Sequence, residues 1–263
     1  NTAVGYQAGY SNTTGTNNTF SGYQAGYAGT TVSDNSFFGT SAGRYVTTGD
    51  NEAFGFVALR GDNTGLCTGT GNSAFGNRAM IAVTSGSHNV GIGGSSLYNL
   101  TSGNYNVAVG ENALQANTTA SNNTAVGYQA GYSNTTGINN VALGYQAGYT
   151  STTSNNSIKI GYQAGYTGTG ANNICIGPKS GYALTTGVSN TFIGAGVDGV
   201  SDGAGSAVTT GSKNTIIGTY SGNQGGLDIR TASNYIVLSD GDGKPCVVYG
   251  AVPSGSGAYS QTG

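Results

Sequence analysis

Few residues in this chain have the types and spacing that chemistry needs. The single histidine, His88, sits in a Ser-His-Asn turn with no acidic neighbour in sequence, so it reads as a solvated turn residue rather than part of a triad or metal cluster. Asp240 and Asp242 in SDGDGK have the opening spacing of a calcium loop. The remaining ligands and the closing Glu are missing, which favours a plain turn. GAGVDG at 194–199 is Gly-rich like a phosphate loop, but no helix follows to present its N-terminus to an anion. Cys67, Cys175 and Cys246 are odd in number and far apart, fitting neither a disulfide framework nor a zinc site. Cys175, within NICIG, reads as a small buried or half-buried thiol. Ten acidic residues give little material for the paired carboxylates of a glycosidase. On these grounds we expect no catalytic residue, no metal and no cofactor.

What remains is a supply of aromatic and amide groups. Tyr6, Tyr23, Tyr128, Tyr145 and Tyr162 share one position of a recurring pattern; Tyr10, Tyr27, Tyr98, Tyr132, Tyr149, Tyr166 and Tyr182 mostly share another. Rings repeated in this way can stack and bury area that small residues cannot supply. They can also form a surface that contacts sugars. For that second reading the candidates are Tyr6, Tyr10, Tyr132, Tyr149 and Tyr166, with Asp198 and Asp202 in an insertion. We weigh the structural reading above the functional one. The net charge of −2, with no basic stripe, argues against a nucleic-acid partner. No apolar run approaches the ~18 residues of a membrane span.

The elements that position these residues are repeats. NTAVGYQAGYSNTTG occurs at 1–15 and again, unchanged, at 123–137. Taking the Gly that ends each N-x-x-x-G as a mark, the marks fall at Gly5, Gly22, Gly39, Gly55, Gly76, Gly93, Gly110, Gly127, Gly144, Gly161, Gly177, Gly194 and Gly218, mostly 17 residues apart. A fixed period of this length signals stacked coils, each unable to bury its own apolar face alone. Only 7% of residues are charged, which could suit a disordered tract, but disorder gives no reason for such strict apolar spacing.

Within a repeat the residue before the mark is apolar in every copy but Ser21, and often the residue two earlier is apolar too, as in Val107-Ala108-Val109. That alternation predicts a half-buried strand with these residues inward, and it points Lys159, between Ile158 and Ile160, away from the core. Three residues after the mark comes Ala or Ser, small enough for a second short strand or bend to cross a thin core, except after Gly194, where the larger Val197 opens the irregular part of the chain. Asn, Gly and Thr-Thr-Gly suit the corners. The expected unit is strand, corner, short strand and wider turn, with Asn over Asn and Tyr over Tyr in ladders. Helix is not expected anywhere. The thirteen marks span ~60 Å if each repeat is one coil, or ~180 Å if three chains interwind.

Three regions follow: a regular solenoid over 1–194, irregular terminal repeats with an insertion over 195–233, and a hairpin cap with a Gly/Ser-rich tail over 234–263. The hairpin pairs Tyr235–Leu238 with Cys246–Tyr249 and would cover a sticky sheet edge. Because the chain opens on Asn1 in mid-repeat, it reads as a processed product or a segment of something longer.

The N-x-x-x-G-x-x-A pattern of NTAVGYQA, NVALGYQA and NVAVGENA resembles the head repeats of trimeric autotransporter adhesins. The GYQAGY string at 5–10, 22–27, 127–132, 144–149 and 161–166 is similar to repeats of phage tail fibres, and NYIVLSDGDG at 234–243 to a segment that in such fibres precedes a self-cleaving chaperone. The resemblance covers about 1–250. It implies an all-β, parallel β-solenoid (a left-handed β-roll) assembled as a homotrimer. It further implies an extracellular place on a virion tail or bacterial surface, attached to a host-surface glycan or protein. The 17-residue period exceeds that of adhesin heads and favours the phage-type fibre. An extracellular filament without a specific receptor and, more distantly, a polysaccharide-degrading tailspike stay open as alternatives.

Overall fold

The computed structural model describes residues 1–61, 66–196 and 203–250. The fold is all-β without a helix among these residues, a parallel β-solenoid of about 13 turns at ~17-residue spacing. Two compact units divide it, Asn1–Thr136 and Gly137–Gly263. In the first, β1 (Thr2–Val4), β2 (Thr19–Ser21), β3 (Ser36–Phe38), β4 (Glu52–Phe54), β5 (Ser73–Phe75), β6 (Val90–Ile92), β7 (Val107–Val109) and β8 (Thr124–Val126) pair in chain order, all parallel. In the second, β9 (Val141–Leu143), β10 (Ile158–Ile160), β11 (Ile174–Ile176), β12 (Thr191–Ile193) and β13 (Thr215–Ile217) do the same. Successive repeats of one chain are therefore direct neighbours within each unit, and each coil advances by one strand spacing of ~4.8 Å.

The corners explain the recurring residues. The Asn that opens N-x-x-x-G is buried in every repeat but those of the exposed Asn1 and the half-buried Asn140, and its side chain replaces the hydrogen bonds that a bending backbone cannot make to itself. Asn72 is typical: its backbone N–H and Nδ2 donate to Asn51 Oδ1 at 3.0 and 3.3 Å, and its Nδ2 also donates to Gly86 O at 2.9 Å. In the second unit Ser157 takes the place of Asn, its N–H donating to Asn140 Oδ1 at 3.0 Å and its Oγ accepting from Asn173 N at 3.2 Å. The marking Gly cannot be replaced in kind. Gly76 has φ +135°, and a Cβ there would lie 2.6 Å from the carbonyl oxygen of Gly93 in the next coil.

From β2 to β13 the inward residue of each strand is its centre, which corrects the orientation expected from the sequence. Phe20, Phe37, Ala53, Ala74, Ala108, Ala125, Cys175, Phe192 and Ile216 are buried, while of the residues before the marks Val4, Phe38, Ile92, Val126, Ile193 and Ile217 are exposed and Phe54, Phe75, Val109, Leu143, Ile160 and Ile176 half-buried. Lys159 accordingly points into the core and not away from it, with 6% of its surface exposed. The reason is the width of the coil. The buried Ala or Ser three residues after the mark crosses close behind the strand, and the space holds one large side chain per level. Where the strand centre is Ala53, Ala74, Gly91 or Ala108, the filler comes from the corner as Leu59, Met80, Leu97 or Leu114. Where the strand centre is Phe20, Phe37 or Lys159, the corner residue is Gly26, Gly43 or Gly165. Gly26 shows the exclusion, since a Cβ there would lie 2.7 Å from the Phe20 ring. No second short strand forms at that crossing; it is a turn.

Beyond β13 the coil changes. β14 (Asn223–Gln224) and β15 (Leu227–Asp228) form a small antiparallel pair, and Tyr220, fully buried beneath it, donates its hydroxyl to Leu227 O at 2.8 Å. β16 (Ile236–Ser239) continues the parallel ladder from β13 and turns back as an antiparallel hairpin into β17 (Pro245–Tyr249), as the sequence suggested. Asp240 holds that turn, its Oδ1 accepting from the N–H groups of Asp242 (3.0 Å) and Lys244 (2.8 Å). Asp198, Asp202 and the tail 251–263 lie outside the described residues.

Candidate functional site

With the strand centres inward, the two residues flanking each centre form the outer face of the sheet. In the first unit that face carries Val90, Ile92, Val107 and Val109, and a stack of three phenylalanines. Phe38 and Phe54 have ring centroids 4.7 Å apart, and Phe54 and Phe75 4.8 Å apart, with nearly parallel planes. Its one charged residue is Glu52, which accepts a hydrogen bond from Ser73 Oγ at 2.8 Å. In the second unit the outer positions are Val141 and Leu143, Ile158 and Ile160, Ile174 and Ile176, Thr191 and Ile193, Thr215 and Ile217, and Ile236 and Leu238, with no charge among them. Ile217 and Ile236 are each 46% exposed. Parallel sheets are ordinarily covered on both faces, and a contiguous apolar surface is the usual mark of an interaction site. Each Å² left in water forgoes about 25 cal/mol of burial.

The tyrosines form columns on another side of each coil. Tyr6 stacks on Tyr23 and Tyr10 on Tyr27, both pairs with centroids 5.3 Å apart. In the second unit Tyr145 stacks on Tyr162 at 5.4 Å, and Tyr149, Tyr166 and Tyr182 form a run at 5.2 and 5.1 Å. Packing between its neighbours raises the Tyr166 hydroxyl above the ordinary phenol range, burial first and the adjacent tyrosines after it. Beside the first column runs an amide ladder: Gln24 Nε2 donates to Gln7 Oε1 at 2.7 Å, and Gln163 Nε2 to Gln146 Oε1 at 3.0 Å. Ring faces in these columns are turned to one another, so what they offer outward is ring edges, hydroxyls and amides.

The candidate sugar-contact residues are thus distributed rather than gathered. Tyr6 and Tyr10 are exposed members of two columns in the first unit, and Tyr132 is half-buried at the same repeat position as Tyr10. Tyr149 and Tyr166 are half-buried members of one column in the second unit. His88 is exposed and stacks on Tyr105 at 5.2 Å. Among the described residues no group of three or more His, Cys, Asp and Glu side chains could hold a metal ion, and no helix is long and apolar enough to cross a membrane.

Two features escaped the sequence reading. One is the outer apolar face itself. The signal for it was present in the strand centres, since Ala53, Ala74, Gly91 and Ala108 fit only a thin core. The other is an inner polar cluster in the second unit. The Lys159 ammonium donates to Ser151 Oγ, which donates in turn to Gly168 O at 2.7 Å. Burial pushes the Lys159 amine down to about 8 and the neighbouring Cys175 thiol up to about 12, each partly offset by its Coulombic interaction with the other.

Neither protein-family models, nor curated proteins, nor solved structures give a match to this chain.

Proposed function

We propose that the chain is a structural and adhesive fibre segment whose copies assemble, as a homotrimer, through the outer apolar face of the solenoid sheet. The observation that carries this reading is the row of half-buried and exposed Val, Ile, Leu and Phe beside the buried strand centres from β3 onward. Such a row is costly in water, nearly free of charge, and repeated coil after coil, so a second copy can match it level by level. Burying it between copies leaves the polar ladders and tyrosine columns outward, where phenol hydroxyls and amides are available to a host-surface glycan or protein. In this reading the number of coils sets reach, the repeats are scaffold rather than catalytic machinery, and the fibre works outside the cell on a virion tail or bacterial surface.

Electron microscopy of the purified protein, with binding to intact bacteria, tests the proposal. It expects discrete rods of fixed chain number that decorate a host surface. Open-ended polymers without surface binding would replace it with a filament lacking a receptor, and release of oligosaccharides from surface polymer would replace it with a degrading enzyme.

A further inference from the structure

Lys159 and Cys175 are register partners on adjacent parallel strands β10 and β11, both at the inward-facing centre. Their Cβ atoms therefore stand side by side, one strand spacing of ~4.8 Å apart. Both side chains are buried, and both line a cavity of about 10 Å³ together with Gly165, Thr167, Asn173 and Leu184. The lysine stem fills the space left by Gly165 of its own coil and Gly148 of the preceding one, where an added Cβ would come 2.8 Å and 3.0 Å from Lys159 Cδ. Its nitrogen has one hydroxyl partner, Ser151, and no carboxylate: the one ion pair among the described residues is Arg230–Asp228. A buried amine that lacks a counter-charge is kept partly unprotonated by desolvation, which leaves a lone pair on nitrogen.

We propose that Lys159 and Cys175 are a covalent modification site, joined by dioxygen into a nitrogen–oxygen–sulfur bridge that ties two neighbouring coils together. In this reaction the amine loses one N–H hydrogen and the thiol its S–H hydrogen, and the second amine hydrogen stays on nitrogen. The O–O bond of dioxygen breaks, one oxygen bonding to both nitrogen and sulfur and the other leaving as water with the two hydrogens. Nitrogen and sulfur give up two electrons each, and dioxygen takes the four. To react, the Lys159 nitrogen exchanges Ser151 Oγ for the thiol by rotation about its own side-chain torsions. Dioxygen is small and apolar enough to enter a closed interior. The other two cysteines provide internal controls: Cys67 is buried with no lysine as its partner, and Cys246 is exposed.

The test compares wild type, Cys175→Ser and Lys159→Arg, each prepared in air and under argon, by intact mass and by tryptic mapping without reductant. The expected result is a wild-type fraction made in air that has gained one oxygen and lost two hydrogens. Its map should contain one peptide linking Lys159 to Cys175, uncut after Lys159, lost on treatment with a dithiol and absent from both variants. The inference is overturned if aerated wild type keeps a free Cys175 thiol and is cut fully after Lys159. It is equally overturned if Cys175 takes up oxygen without becoming linked. Should either variant fail to fold, the comparison of wild type in air and under argon decides alone.

Discussion

Asn89 Oδ1 accepts both the backbone N–H of Asn106 at 2.9 Å and its Nδ2 at 3.0 Å, so one side-chain oxygen closes the corner of the next coil. Asn89 Nδ2 meanwhile donates to Asn72 Oδ1 at 3.1 Å and to Gly103 O at 2.9 Å. Because all of these groups are buried, removing the amide leaves donors and acceptors with neither partner nor water. At ~1–3 kcal/mol for each orphaned group, Asn89→Ala is expected to cost ~3–5 kcal/mol. Asn89→Asp, which keeps the acceptor but loses the donor, should also destabilise at neutral pH. Denaturant midpoints of the two variants, with amide exchange localised to β6 and β7, check both outcomes.

Gly76→Ala addresses the stack of marking glycines. With φ at +135° and the Gly93 carbonyl oxygen 2.6 Å from the added Cβ, neither the backbone conformation nor the space accepts a side chain. We expect loss of soluble folded protein or a strong fall in thermal midpoint. The same substitution at the half-buried Gly94, whose added Cβ would meet nothing nearer than a flexible Glu111 Cγ at 3.8 Å, should be mild. Circular dichroism melts of the pair give the comparison.

Lys159 makes stability depend on pH with a definite sign. Its amine is lowered from 10.5 to about 8 on folding, so between those values the unfolded chain holds a proton that the folded chain does not. Stability is therefore least below pH 8 and rises as pH increases through it. From about pH 8 upward the thiols of Cys67 and Cys175, raised from 9.0 to about 11 and about 12, act increasingly in the opposite direction, because the unfolded chain loses protons there that the folded chain keeps. The clean window is therefore pH 7 to 8, with a slope below ~1.4 kcal/mol per pH unit. Lys159→Met keeps the stem's volume, should be more stable than wild type at pH 7 by ~2–3 kcal/mol, and should lose the rise. Urea titrations under argon at pH 7, 8 and 9 measure this.

The period of Gly5, Gly22 and Gly39, the amide ladder, the tyrosine stacks and the hairpin of β16 and β17 were legible in the sequence, because each depends on contacts between like positions one coil apart. The side to which each strand faces was not. Alternation of Val107, Ala108 and Val109 says only that the outer two share a face, and hydrophobicity assigns that face to the core unless something else is to cover it. Lys159 deceived for a related reason: a charged residue between two isoleucines is placed in water by its head, whereas here its stem fills the slot that Phe20 and Phe37 fill elsewhere. The partition of bulk between strand centre and corner, Ala74 with Met80 against Phe37 with Gly43, carried the correct answer.

Everything proposed about assembly depends on the outer face being an interface between copies. The direct measurement is sedimentation equilibrium of wild type and Phe54→Asp at micromolar concentration, with circular dichroism to confirm that both are folded. Phe54 stacks between Phe38 and Phe75 on that face, so a charge there should disrupt association while leaving the inward residues undisturbed. The account predicts a trimeric mass for wild type and a folded species of lower mass for Phe54→Asp. Wild type sedimenting as a folded monomer, or Phe54→Asp retaining the wild-type mass, would contradict it.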